Sequence, residues 1–164
     1  MSSLSTEPTD RSLLRRAFSC FPSGVTAVCA SDSGTPVGMA ASTFTPVSLA
    51  PPLVLVCIQD TSTTWPRLRE RHRLGLSVLA EGQGGICRSL ADREGNRFAG
   101  IDWEADDDGS VYIHNASLWL ACSPYAELPG GDHTIVLLKI HGLKAEPGRE
   151  PLVFHGSRFR RLAV

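Results

Sequence analysis

The chain is 164 residues long, with 42% hydrophobic and 20% charged residues and a formal net charge of −1 at pH 7. This composition excludes a disordered, charge-dominated chain, and the balanced charge disfavours a protein whose main partner is nucleic acid. The length is typical of one domain, so we expect residues 1–11 to form a flexible tail and residues 12–164 to form that domain. Residues 1–11 lack a signal-peptide stretch, and the apolar run at 53–58 is too short to cross a bilayer. We therefore expect a cytoplasmic protein with no membrane partner.

In chain order, the pattern predicts a short helix that begins at Ser12, followed by short strands separated by Gly and Pro. Ser33-Gly34 is the predicted tip of a hairpin, and residues 128–131 are a second predicted turn. Two further short helices are predicted at residues 66–73 and 85–94. The predicted strands are residues 25–30, 37–43, 53–58, 74–80, 117–126, 133–145, 152–155 and 157–162.

Many strands with only short helices between them predict a mainly β fold, a closed or half-closed β-barrel. Regular alternation of strands and helices is missing, which disfavours a doubly wound sheet.

The five cysteines include no CxxC pair and the five histidines include no HxxxH pair, so we expect no metal site. We expect the thiols to be reduced, and Cys29 and Cys122 to pack as small apolar side chains.

Two segments are candidates for ligand binding. Residues 60–66 place several hydroxyls before a predicted helix, a pattern typical of a phosphate site but also of an ordinary helix N-cap. The arginines of that helix could attract a phosphorylated ligand or form a solvated face. Residues 37–48 predict a strand of small side chains that ends in hydroxyls and then a proline turn. Such a strand suits either a flat ligand lying on the backbone or close packing against a neighbour.

Four motifs occur in order along most of the chain: Phe21-Pro22-Ser23-Gly24-Val25-Thr26, residues 37–48, residues 49–54 and Gly131-Asp132-His133. Together they resemble the flavin reductase family with the FMN-binding split-barrel fold, the small reductase components of two-component flavin-dependent monooxygenases. The resemblance implies a Greek-key split barrel over residues 12–164 and a homodimer. It also implies bound FMN, or FAD, reduced by NADH or NADPH, and a separate monooxygenase that receives the reduced flavin.

The resemblance also implies the residues of the site, all numbered in this sequence. His133 matches a histidine near the reactive face of the flavin, where the nicotinamide docks. Arg97, Phe98 and Phe159 match the nicotinamide pocket around it. The implied flavin-binding residues are Met39, Ala40, Ala41, Ser42, Thr43, Phe44, Ser48, Gln59, Ser62, Thr63, Thr64, Ala80, Glu81 and Gln83.

The chain departs from the family pattern at three positions. Ala50 stands where an aspartate is common, Thr43 where a second serine is usual, and Asn96 where an aspartate often precedes the arginine–phenylalanine pair. None of these changes removes a group that hydride transfer to a flavin requires, because the cofactor carries that chemistry. Two alternatives stay open: a non-catalytic flavin-binding module, and a split barrel reused for non-redox biosynthetic chemistry.

Overall fold

The computed structural model describes residues 9–163, which fold mainly as β-strands with short helices, as predicted. The helices are α1 (Arg11–Phe18), α2 (Trp65–Leu68) and α3 (Gly84–Ala91). The strands are β1 (Thr26–Asp32), β2 (Thr35–Ala41), β3 (Thr45–Leu49), β4 (Pro52–Gln59), β5 (Leu74–Val78), β6 (Trp103–Ala105), β7 (Val111–Ile113), β8 (Leu118–Gly130), β9 (His133–Ala145), β10 (Val153–His155) and β11 (Arg158–Arg160). The first eight residues of the predicted tail, and Val164, lie outside the described residues. No helix in the described part of the chain has the length and apolarity needed to span a membrane.

One antiparallel sheet of seven strands, in the order β2-β1-β5-β8-β9-β4-β3, carries the fold. Its edge strands, β2 and β3, follow one another in the chain but do not pair within residues 9–163, so backbone hydrogen bonds do not close the sheet into a barrel. A side chain bridges the gap instead. The hydroxyl of Thr43, just after β2, is bonded to both the amide and the carbonyl of Cys57 in β4.

Alternate side chains of the sheet form an inner core. Val28 of β1, Val37 of β2, Val56 of β4 and Leu138 of β9 belong to one buried cluster, to which β5 and β8 also contribute. Because strands from both ends of the sheet share this cluster, the sheet is curled around it.

The opposite face of β1 and β5 carries a second apolar cluster, called the outer cluster below, which is covered by α3, β7 and the C-terminal segment. Gly75 of β5 permits this packing, because a Cβ atom there would lie 2.1 Å from the carbonyl oxygen of Val111. Cys29 points into this cluster and Cys122 into the inner core, as the predicted packing role requires. Burial raises the pKa of each thiol to about 12.

The structure corrects three local predictions. The helix predicted at 66–73 is the single turn α2, because the amide of Arg71 bonds the carbonyl of Leu68, three residues back, and this tighter bond ends the helix. The turn predicted at 128–131 is narrower: β8 and β9 pair up to Gly130 and His133, which leaves Gly131-Asp132 as the loop. A strand, β3, forms where a proline turn was expected. The Ser33-Gly34 hairpin is confirmed, with a positive φ at both residues.

Candidate functional site

A cavity of about 320 Å³ lies between the end of β2, the end of β4, residues 61–64 and the C-terminal turn of α3. This volume is within the usual range of small-molecule sites. The small side chains of Ala40 and Ala41 form part of one wall, which suits a flat ring. The predicted site residues that line the cavity are Met39, Ala40, Ala41, Ser42, Thr43, Gln59, Ser62, Thr63, Thr64, Arg97 and His133.

The charge of the cavity favours an anion. Arg93 and Arg97 line it, and none of its lining residues within 9–163 is an aspartate or glutamate. The arginines of residues 66–73, the segment predicted as a helix before which the hydroxyls lie, form ion pairs outside the cavity. Arg67 and Arg71 pair with Asp32, and Arg69 pairs with Glu127. The attraction for a negative ligand therefore comes from the two arginines in the cavity and not from α2.

Hydroxyls stand beside this positive charge. The N-cap of α2 is Thr64, whose side chain makes no capping hydrogen bond. Ser62 Oγ instead accepts from the amides of Thr64 (3.3 Å) and Trp65 (3.1 Å) and satisfies these donors at the start of the turn. A hydroxyl that accepts still has a proton to donate, so Ser62 and the neighbouring threonines can bind the oxygens of a phosphate. Because α2 is one turn long, its dipole adds little, and the hydroxyls and arginines supply the binding chemistry.

Arg97 joins two walls of the cavity. Its Nη1 donates to the carbonyl of Gly38 (3.1 Å) and to Oγ1 of Thr64 (2.8 Å), and Thr64 is only 8% exposed. The family resemblance implies that Arg97 belongs to the nicotinamide pocket. In the structure its guanidinium lies against Thr64, and because Thr64 Oγ1 accepts from it, the Thr64 proton is free to be donated to a ligand.

His133 begins β9 at the edge of the cavity, immediately after the Gly131-Asp132 loop. Its Nδ1 lies 2.7 Å from Oδ1 of Asp132, and Arg11 of α1 lies 3.2 Å from the other carboxylate oxygen. The hydrogen bond from His133, with the neighbouring Arg11 guanidinium, lowers the pKa of Asp132 below its usual value. The carboxylate accepts from Nδ1 and orients the imidazole, which leaves Nε2 for a ligand.

The remaining predicted residues do not line this cavity. Phe44 packs against the inner core, and Ser48 lies in β3 opposite Leu53. Phe98 belongs to the outer cluster and lies edge-on to Trp103.

The other four predicted residues lie at the start of α3 or contact it: Ala80, Glu81, Gln83 and Phe159. Oε1 of Gln83 accepts from the amide of Ala80 (2.8 Å) and its Nε2 donates to the carbonyl of His114 (2.7 Å). Glu81 pairs with Arg161, and the Phe159 ring lies on Gly84, where a Cβ atom would be 2.7 Å from the ring.

Sequence reasoning missed six lining residues: Cys57, Ile58, Thr61, Leu90, Ala91 and Arg93. Thr61 belongs to the same run of hydroxyls and was visible in the sequence. Arg93 precedes Arg97 by four residues, but only the fold shows that both face one cavity. No group of three or more His, Cys, Asp or Glu side chains in the described chain is arranged to hold a metal ion.

A family model described as flavin reductase like domain matches residues 18–163. The chain belongs to the flavin reductase family. An NADH-dependent FAD reductase from Streptomyces globisporus is 40% identical over 162 residues, which cover 96% of this chain and 88% of that protein. The HsaB reductase subunit of a flavin-dependent monooxygenase from Rhodococcus jostii is 33% identical over 153 residues, covering 93% and 78%.

Solved structures of flavin reductases share the fold. The Streptomyces globisporus NADH:FAD oxidoreductase in complex with NAD and FAD fragments superposes with a TM-score of 0.91 at 40% identity and covers 98% of each chain. BorF, the flavin reductase component of a bacterial two-component tryptophan halogenase, gives a TM-score of 0.85 at 32% identity and covers 93% of this chain and 98% of its own. The predicted family resemblance is confirmed.

Proposed function

We propose that this protein reduces FAD with NADH and passes the reduced flavin to a separate monooxygenase, in the cytoplasm. The observation that carries the proposal is the cavity, which has a wall of small side chains, a cationic end rich in hydroxyls and a histidine at its edge. The NADH-dependent FAD reductase among the relatives supports FAD and NADH as the pair. FMN, which shares the ring and the first phosphate of FAD, and NADPH are the other candidates.

The residues present fit a flavin. The backbone and small side chains of residues 39–43 would hold the isoalloxazine ring, and Gln59 would lie beside it. Residues 61–64 with Arg97 would hold the phosphate nearest the ribityl chain, because hydroxyl protons and a guanidinium are good phosphate donors. When bound, the flavin supplies the hydride acceptor.

The protein itself needs to do little acid–base chemistry. Its main contribution is to hold two rings in contact, because correct positioning accounts for much of the acceleration of such a step. His133, held by Asp132, would orient the carboxamide of the nicotinamide or stabilise negative charge on the reduced ring through Nε2. No catalytic triad is required.

We further propose that the curled sheet is a Greek-key split barrel and that the protein is a homodimer. Shared burial of β2 and β4 side chains supports the barrel. Exposed apolar side chains support the dimer. Leu49 of the edge strand β3 is 97% exposed, and Tyr125 and Leu128 are exposed in β8, which forms a hairpin with β9. Sedimentation equilibrium should give about twice the 17.6 kDa chain mass. A monomer at micromolar concentration would contradict the dimer.

The test of function is oxidation of NADH or NADPH by the purified protein with FAD, FMN or no added flavin, followed at 340 nm. We expect NADH oxidation that rises with added FAD, since a reductase that releases its product consumes free flavin as a substrate. Binding of flavin without oxidation of either nucleotide would instead indicate a flavin-binding module. Absence of both binding and oxidation would contradict any role in flavin chemistry.

A further inference from the structure

The side chain of Thr43 makes the hydrogen bonds that backbone would make if the pairing of β3 with β4 continued beyond Thr45. Strand β3 pairs Thr45 with Leu55 of β4, so residue 43 would pair with residue 57 if the ladder continued. Instead, Oγ1 of Thr43 accepts from the amide of Cys57 (2.8 Å) and donates to its carbonyl (3.1 Å). One hydroxyl thus makes both hydrogen bonds that a partner residue makes in an antiparallel pair.

Because the hydroxyl bonds Cys57, the backbone amide and carbonyl of Thr43 make no hydrogen bond within the sheet of the described chain. Within residues 9–163, the amides of Ser42 and Thr43 make no hydrogen bond to another backbone group. Both residues line the cavity. A backbone donor that stays unpaired in a cavity wall is available to a ligand with acceptors on its edge, such as the pyrimidine ring of an isoalloxazine.

Burial does not explain the contact. The Thr43 side chain is exposed, so water could satisfy its hydroxyl, and folding alone does not require the pairing with Cys57. The contact does fix the segment between β2 and β3 against β4, across the gap where the sheet is not closed by its backbone. The β-branched threonine also restricts χ1, which helps to keep the hydroxyl in this orientation.

We propose that Thr43 is a positioning residue for flavin binding. Its hydroxyl takes the place of a strand partner for Cys57, and this holds the backbone of Ser42 and Thr43 open toward the isoalloxazine. The inference rests on the proposed function, and it gives the Thr43 hydroxyl a role through the backbone of Ser42 and Thr43 and not through direct contact with the flavin.

The test compares Thr43→Val, Thr43→Ser and the control Thr45→Val, all in the full chain. Thr43→Val keeps the shape and removes the hydroxyl, and Thr43→Ser restores it. Thr45 is an exposed threonine of β3 outside the cavity lining, so its variant controls for the loss of a surface hydroxyl. Hydrogen exchange at the Cys57 amide is measured by NMR without flavin, and the Kd for FAD by fluorescence titration.

We expect Thr43→Val to accelerate exchange at the Cys57 amide and to raise the Kd for FAD about tenfold, the loss expected from one or two hydrogen bonds. Thr43→Ser should restore both values, and Thr45→Val should change neither. Faster exchange with an unchanged Kd would overturn the positioning role, and so would equal weakening by the valine and serine variants. A wild-type protein that binds no FAD would refute the proposed function itself, whatever the exchange rates show.

Discussion

Two regions of the molecule carry the residues that the sequence assigned to flavin, and they use their polar groups differently. In the cavity region, at the ends of β2 and β4 with residues 61–64, side chains surround an open space that carries positive charge. In the α3-start region, residues 80–84 contact the C-terminal segment, and the polar groups bind one another. Both ends of the Gln83 amide are occupied by backbone, and Glu81 is paired with Arg161.

The difference indicates which motif residues are available to a ligand. A side chain whose donors and acceptors are already bonded within the chain contributes to stability, since breaking those bonds leaves buried groups unsatisfied. A lining side chain with a free proton or charge contributes to binding. We therefore expect variants in the α3-start region and the outer cluster to change stability, and variants in the cavity region to change flavin or NADH parameters.

The largest expected effect is that of Gly75→Ala in the outer cluster. Its Cβ would lie 2.1 Å from the oxygen and 2.8 Å from the nitrogen of Val111, and backbone cannot move aside cheaply. We expect a loss of about 3 kcal/mol in the free energy of unfolding, measured by urea denaturation. Gly142→Ala is the matched strand control, because its Cβ would meet only the Cβ of Ala121, at 3.8 Å. Equal stability of the two variants would contradict the close approach of β5 and β7.

A pair of glutamine variants compares the two regions directly. Gln83→Ala removes the acceptor of the buried Ala80 amide, so we expect it to lower the free energy of unfolding by about 2 kcal/mol without changing the Kd for FAD. Gln59→Ala in the cavity should weaken FAD binding and leave the urea midpoint unchanged. If Gln83→Ala weakens FAD binding in the folded protein, the α3-start region belongs to the flavin site after all.

His133→Ala tests the edge of the cavity. We expect kcat/KM for NADH to fall about tenfold, through a higher KM or a lower kcat, with FAD binding nearly unchanged. His141→Ala is the control on the same strand, since His141 bonds Ser123 outside the cavity. Steady-state kinetics of His133→Ala that match the wild type would remove His133 from the mechanism.

The smallest expected effect concerns the titration of Asp132. Its pKa is lowered mainly by the hydrogen bond from His133, so its stabilising contribution is present above the ordinary aspartate value near 3.8 and is lost as the pH falls below it. We expect the carboxyl signal of Asp132, followed by NMR, to titrate below 3.8 in the wild type. In His133→Ala the midpoint should rise toward 3.8. An unchanged midpoint would show that the imidazole does not hold this carboxylate.

The sequence predicted this site better where one segment forms it than where several meet. Residues 39–43 and 61–64 are each continuous, and their small side chains or hydroxyls are visible as a pattern. Leu90, Ala91 and Arg93 join them only because α3 packs over β2, which no local pattern encodes. The nicotinamide prediction for Arg97 came from family resemblance alone, and its contacts with Gly38 and Thr64 depend on two other segments.

By itself, the sequence determined the mainly β class, the Ser33-Gly34 hairpin, the buried thiols and the family, because period-two burial, turn chemistry and motif order are local or linear properties. Tertiary structure alone decided how the two ends of the sheet meet. The Thr43 hydroxyl bonds a strand that begins nine residues later, and its partner Cys57 is chosen by the register of β3 on β4. Such a contact depends on how β3 pairs with β4, so nothing in the residues around Thr43 could predict it.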